Sequence, residues 1–419
     1  MIGRFPGGFT IALAAAILTG CGGAQPPIGA PFAISQSRAS NGYNSLYSFG
    51  TTSLGTVFDG QEPKAGLIDV NGTLYGTTSA GGTYDDGTVF SMSTTGAEKV
   101  LYSFQGTGTK DGANPSASLL AVNGLLYGTT EYGGYSFGAQ CNAGTVFRIS
   151  ALGAEKVLYR FYGYYCYSHV YNDGANPVAS LIDVKGKLYG TTVTGGFNEL
   201  WGTVFRVSTS GREKVLYSFE GYGLSDGANP TASLLNVKGT LYGTTEYGGE
   251  GLSSVGYGTA FTISTTGTEH VLQKFAPGPD GDYPEAGLIN VNGTLYGTAA
   301  GGGAYGSGFG DGTAFSITTS GHVTALHSFG SGSDGINPWA PLLDVRGTLY
   351  GTTSAGGAYG KGTVFKMSLS GKEKVLHSFG YGADGATPLA GLVNVHGTLY
   401  GTTSAGGTYG KGTVFSLKP

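Results

Sequence analysis

Short apolar runs separated by glycine-rich turns recur along almost the whole chain. Between residues 63 and 104 they read PKAGLIDV, TLYGTTS, GTVFSMS and EKVLYSF, parted by Asn71-Gly72, by AGGTYDD and by TTG. Runs rich in Val, Leu, Tyr, Phe and Thr and bounded by turn residues predict strands. Asn-Gly predicts a type I′ hairpin, because both residues tolerate positive φ. The unit is therefore a four-stranded antiparallel meander. Its strands are apolar on both faces, as VLYSF shows, so each sheet should be covered on both sides.

The unit repeats. Tyr75, Tyr127, Tyr189, Tyr242, Tyr296, Tyr350 and Tyr400 mark the LYGTT-like phrase, at spacings of 52, 62, 53, 54, 54 and 50. Four strands at a period near 50 predict an all-β, seven-bladed β-propeller rather than a solenoid. The blades fall at about 63–104, 115–161, 177–219, 230–275, 284–329, 338–379 and 388–418. The seventh ends after GTVFSLK, without a VLYSF element, whereas residues 43–49 ahead of the first blade contain SLYSF. That stub is expected to pair with 412–418 and complete the last blade, removing free sheet edges. The GTVF at 55–58 falls in a connector. Gly76 and its counterparts are expected to let neighbouring sheets approach closely.

The N-terminus follows another pattern. Arg4 precedes FTIALAAAIL at 9–18, too short a run to span a bilayer of roughly 30 Å as a helix. It reads as a secretory signal over 1–20. LTGC, ending at Cys21, resembles the bacterial lipobox, which implies lipidation of Cys21 and an envelope address, the outer membrane in diderms because Gly22 follows. Residues 21–42 read as a flexible tether, and 43–419 as the propeller.

Composition narrows the rest. Only 11% of residues are charged and the net charge is −4, which argues against a nucleic-acid surface. No cofactor motif stands out, and a monomer is expected. The order DGxxP, apolar strand, LYGTT, GG, GTVF, VLYSF resembles the Gloeo/Verruco ("GloVer") tandem repeat over 43–419. That resemblance implies exported, often envelope-anchored bacterial proteins and no catalytic residues.

Strand direction puts the loops after the second strand and the connectors between blades on one face. Those loops vary in length, and variable loops on a rigid scaffold are where binding concentrates. Tyr132, Tyr135, Phe137, Trp201, Tyr247, Tyr257, Tyr305 and Trp339 are candidate platforms for a sugar or a peptide there, or else cover their own loops. Cys141 and Cys166 fall in adjacent segments of this face, and a disulfide is expected in an oxidising compartment. Each connector carries an Asp: Asp59, Asp111, Asp173, Asp226, Asp280, Asp334 and Asp384. The turn reading has Asp bonding local amides and Gly taking positive φ; the other is a carboxylate ring at the channel able to attract a cation. The six histidines show no ligand spacing, and His327 and His377 replace the Tyr of LYSF as strand residues. No metal site is expected. The main expectation is a lipid-anchored, non-enzymatic binding or scaffold protein, its partner a glycan or protein. Glu131, Glu199, Glu246 and Glu250 keep open an extracytoplasmic hydrolase or lyase acting on carbohydrate or peptide.

Overall fold

A computed structural model describes residues 42–419, apart from 54–55, 107, 136–141, 164, 167–168, 171, 198–200, 222–225, 250–255 and 306–309. Seven four-stranded antiparallel sheets make a β-propeller, and the described residues contain no helix. In the first blade the strands run Ile68–Val70, Thr73–Thr78, Thr88–Ser93 and Glu98–Ser103, innermost to outermost. The seventh sheet takes its outermost strand from Tyr43–Ser48, which pairs antiparallel with Thr413–Leu417. The register slips between Ser45 and Tyr47, where blade one slips between Val89 and Phe90 of its third strand.

The hairpin turns take the predicted conformation even without asparagine. Asn71 and Gly72 have φ of 53° and 82°, and Lys185, Lys238, Arg346 and His396 also sit at positive φ. In the first blade the Gly72 amide donates to Asp69 Oδ1 at 2.9 Å, which supports this left-handed geometry.

The core lies between blades, so every contact recurs around the ring. Phe104 at the end of one outermost strand meets Phe147 of the next blade edge to face at 5.1 Å. The pair Phe49–Phe90 repeats this between the seventh and first blades at 5.2 Å. Deeper in, the first Thr of each LYGTT-like strand donates to an alanine carbonyl of the next blade: Thr77 to Ala117 at 3.3 Å, Thr244 to Ala286 at 3.1 Å, and Thr402 to Ala65 at 2.9 Å. These bonds sit in buried surroundings, where an unmade one would be costly.

The glycine of LYGTT serves packing inside the blade, which corrects the expectation for Gly76. A Cβ there would lie 2.6 Å from Phe90 Cζ and 2.9 Å from Leu67 Cδ2, both of the same blade. The phenylalanine can therefore lie flat across its own sheet only if the residue opposite has no side chain.

Candidate functional site

Two-residue ladders tie connectors to the loops after the second strand, as Gly112–Ala113 does with Tyr132–Gly133, so both lie on one face. The chain then reaches the axis through a repeated clasp. The residue before each proline has positive φ: Glu62, Asn114, Asn176, Asn229, Tyr283, Asn337 and Thr387. Residues before proline ordinarily stay extended, so this geometry is strained, most of all at β-branched Thr387. Hydrogen bonds on both sides hold it. The Asn114 amide donates to Asp86 O of the preceding blade at 2.9 Å, its carbonyl accepts from Glu131 N at 3.1 Å, and its Nδ2 reaches Ser79 O at 2.9 Å.

This corrects part of the turn reading of DGANP. The asparagine, not the glycine, supplies positive φ in most connectors, and Gly112, Gly174, Gly227, Gly335 and Gly385 are outside that region. Glycine is needed for space: a Cβ on Gly335 would lie 2.0 Å from Thr353 Oγ1.

After the clasp each blade carries a variable residue, Ala, a small residue or Pro341, and Leu. Residues of the first three positions from all seven blades, with Leu67 and Leu392, line a cavity of about 250 Å³ on the axis. Alanine and leucine are constant, but the residue after proline differs in every blade: Lys64, Ser116, Val178, Thr231, Glu285, Trp339 and Leu389. The mouth thus departs from the symmetry of the scaffold at one defined position in every blade. Trp339 is 43% exposed. Burial, and then the charge of Glu246, push the Glu285 carboxyl up to about 8. Glu246 is itself raised by burial. Tyr283, two residues before Glu285, meets Tyr247 at 5.6 Å and Tyr257 at 6.0 Å. Glu285 and Trp339 thus line the mouth from blades five and six, and Glu246 with the tyrosine cluster lies beside Glu285 rather than in the cavity lining. On the first blade, Lys64 Nζ lies 3.3 Å from Glu62 Oε2.

The predicted aromatics separate into three groups. Trp339 lines the mouth, and Tyr247 and Tyr257 belong to the cluster beside Glu285. Tyr132, at the ladder position that Tyr247 takes in blade four, and Tyr305 are exposed, at 37% and 46%. Trp201 is not a free platform: its ring fills the space that a Cβ on Gly221 would need, and it packs against the core between blades three and four. Tyr135 packs against Tyr162 in a tilted ring pair at 4.8 Å, covering its own loop region. Phe137, Glu199, Glu250, Cys21 and Cys141 lie outside the described residues. The backbone of Tyr165–Cys166 pairs with His169–Val170. Sequence reasoning passed over Tyr84, Tyr359, Tyr381 and Tyr409, all at least half exposed; the GGxY phrase in the loops of blades one, six and seven was the available signal for three of them, while Tyr381 lies in a connector.

The connector aspartates do not line the channel cavity. Six of them bond the Tyr or His of the preceding outermost strand: Tyr47–Asp59 at 2.8 Å, Tyr102–Asp111 at 2.8 Å, Tyr159–Asp173 at 2.9 Å, Tyr217–Asp226 at 2.9 Å, His327–Asp334 at 2.9 Å and His377–Asp384 at 2.8 Å. Several also accept backbone amides, as Asp111 does from Gln105 and Gly112, both at 2.8 Å. Their role is to join the connector to the sheet. Asp280 is the exception and is exposed. A Glu from the next outermost strand completes most junctions. Glu98 and Glu155 are pushed up to about 8, by burial first and by the nearby aspartate second. Glu213, Glu269 and Glu373 rise to about 7 for the same reasons.

No curated protein matches this chain. Among solved structures, an alpha-L-arabinofuranosidase from Fusarium graminearum in complex with an iminosugar inhibitor aligns at 14% identity and TM-score 0.42, covering 72% of this chain and 91% of that one. A puromycin hydrolase aligns at 12% and TM-score 0.48, over 81% of this chain but only 50% of its own. A putative gluconolactonase aligns at 15% and TM-score 0.36, over 65% and 80%. None of these carries a substrate or reaction to this chain. The family model of the Gloeobacter/Verrucomicrobia repeat matches residues 19–255, 132–310 and 251–419, and with this repeated architecture the chain belongs to that family.

Proposed function

We propose that this propeller is a non-enzymatic binding protein of the bacterial envelope, held at the membrane by a lipid on Cys21 and reaching out on the 21–42 tether. Its partner is a glycan or a protein, and the chemistry of the mouth favours a glycan. The supporting observation is the mouth itself, where seven different residues follow seven equivalent prolines. A scaffold that kept this ring only for stability would repeat one residue there, as it repeats the alanine beside it. An exposed indole stacks on a sugar face, while carboxyls and tyrosine hydroxyls bond sugar hydroxyls.

The test is a glycan and peptide array probed with the soluble 43–419 fragment. Enrichment of a glycan class, lost in Trp339→Ala with an unchanged melting temperature, supports the reading. No enrichment, or equal binding by Trp339→Ala, refutes it.

A second reading rests on the Glu246–Glu285 pair. A carboxyl that keeps its proton near neutrality beside another carboxyl is the arrangement of a glycosidic general acid and its partner. Incubating array hits with the protein separates the two: release of new reducing ends, abolished by Glu285→Gln with binding retained, would make it a hydrolase.

A further inference from the structure

The junctions between blades are built to one plan, so a junction that departs from it is informative. Tyr47, Tyr102, Tyr159 and Tyr217 each bond an aspartate, with Glu98, Glu155, Glu213 and Glu269 from the next blade beside them. Between blades five and six the tyrosine is replaced by His327. We propose that His327, Asp334 and Glu373 form a binding site for one divalent transition-metal ion of the Zn²⁺ type, bridging those two blades.

The geometry supports this directly. One ligand atom from each residue lies within 4.8 Å of the other two. His327 Nε2 and Asp334 Oδ2 are 2.9 Å apart. Bonds of about 2.0–2.2 Å to an ion place its ligands roughly 3–4 Å from one another, so side-chain rotation alone can close the set. Glu373 Oε1 is buried without a hydrogen-bond partner, as are the Oε1 atoms of Glu98, Glu155, Glu213 and Glu269 at the tyrosine junctions; only here does an imidazole stand beside it, so that an ion could satisfy it. The imidazole keeps 21% of its surface exposed, which gives an ion a path in and leaves a coordination position for water. One imidazole and two carboxylates suit Zn²⁺ and its neighbours.

Other junctions lack the set. In four of them a phenol stands in place of the imidazole, and burial holds it protonated far above neutrality. His377 and Asp384 repeat the first two ligands, but the residue facing them is Tyr43, stacked on the His377 ring at 3.8 Å. The sequence concealed the site because its third ligand comes from another blade.

The test is equilibrium dialysis of the EDTA-stripped full chain against ZnCl₂, with bound metal counted by mass spectrometry. The expected result is one ion lost in His327→Tyr, a change that installs the residue of four equivalent junctions and so should fold. Glu373→Val, copying Val323 of the preceding blade, should weaken binding at least tenfold. His377→Tyr should leave the ion in place. Zinc should also raise the melting temperature of the wild type but not of His327→Tyr. The proposal is overturned if the wild type binds no stoichiometric zinc, if His327→Tyr binds as much as wild type, or if His377→Tyr removes the ion.

Discussion

Glu98 offers the sharpest test of how the junctions work, because it lies where the first blade meets the seventh. Its carboxyl is buried beside Tyr47 and Asp59, and its pKa rises from 4.5 to about 8, through burial first and the Asp59 charge second. A raised carboxyl binds its proton more tightly in the folded chain than in the unfolded one. Between pH 4.5 and 8 the folded state therefore holds more protons, and stability falls as pH rises through that window. The full difference corresponds to roughly 4–5 kcal/mol at about 1.36 kcal/mol per pH unit. The side chain is not wholly enclosed, so solvent screening should leave about 2 kcal/mol. Glu98→Gln keeps the shape and cannot ionise. Relative to wild type, it should gain about 2 kcal/mol more at pH 9 than at pH 5, read by urea denaturation at both values. An equal effect at the two pH values, or a loss at pH 9, would show that Glu98 is solvated and that the junction is not a buried proton-holding pair.

Three further substitutions probe other links. Thr244→Val removes the hydroxyl that bonds Ala286 O at 3.1 Å while keeping the branched shape, and should cost about 1–2 kcal/mol in chemical denaturation. Gly128→Ala brings a Cβ to 2.6 Å from Phe147 Cζ and should cost about 1–3 kcal/mol, seen as a lower melting temperature. Val323→Glu places a carboxyl at the junction where Gln273 replaces tyrosine and Asp280 is exposed. With neither partner to receive it, it should destabilise the protein, and more at pH 9 than at pH 5 in the same denaturation assay.

The phrase LYGTT was legible as a marker of blades, and the structure gives each letter a reason. In the first blade Leu74 and Tyr75 are buried, Gly76 makes room for Phe90, Thr77 bonds the next blade, and Thr78 Oγ1 meets Thr88 Oγ1 at 2.8 Å. Repetition marked these positions because each blade needs the same solution, but not their roles: Gly76, expected from the sequence to serve packing between blades, serves it within one. The mouth was hard to read for the opposite reason. Lys64, Glu285 and Trp339 occupy one structural position, yet they share no chemistry, so only Trp339 stood out. The junction clusters were hidden by distance in sequence. Asp111 bonds Tyr102 nearby, but Glu155 reaches that pair only because the blades pack face to face.

The fourth junction shows that these clusters are units. Between blades four and five, tyrosine becomes Gln273, the aspartate of the repeated Asp-Gly turns outward as Asp280, and glutamate becomes Val323, while Asp282 two residues on is buried with its carboxyl pushed up to about 6 by burial. Each change makes sense given the other two. Without a phenol to donate, a buried aspartate would lose its strongest side-chain bond. Without the aspartate and the phenol, a buried glutamate would carry its desolvation cost with no polar company. The same sector carries Glu285 at the mouth, with Glu246 and Tyr283 beside it. The scaffold thus gives up its standard junction beside the part of the ring where its surface chemistry is most individual. That coincidence favours reading blades four to six as the working side of the molecule and the remaining blades as the frame that holds it.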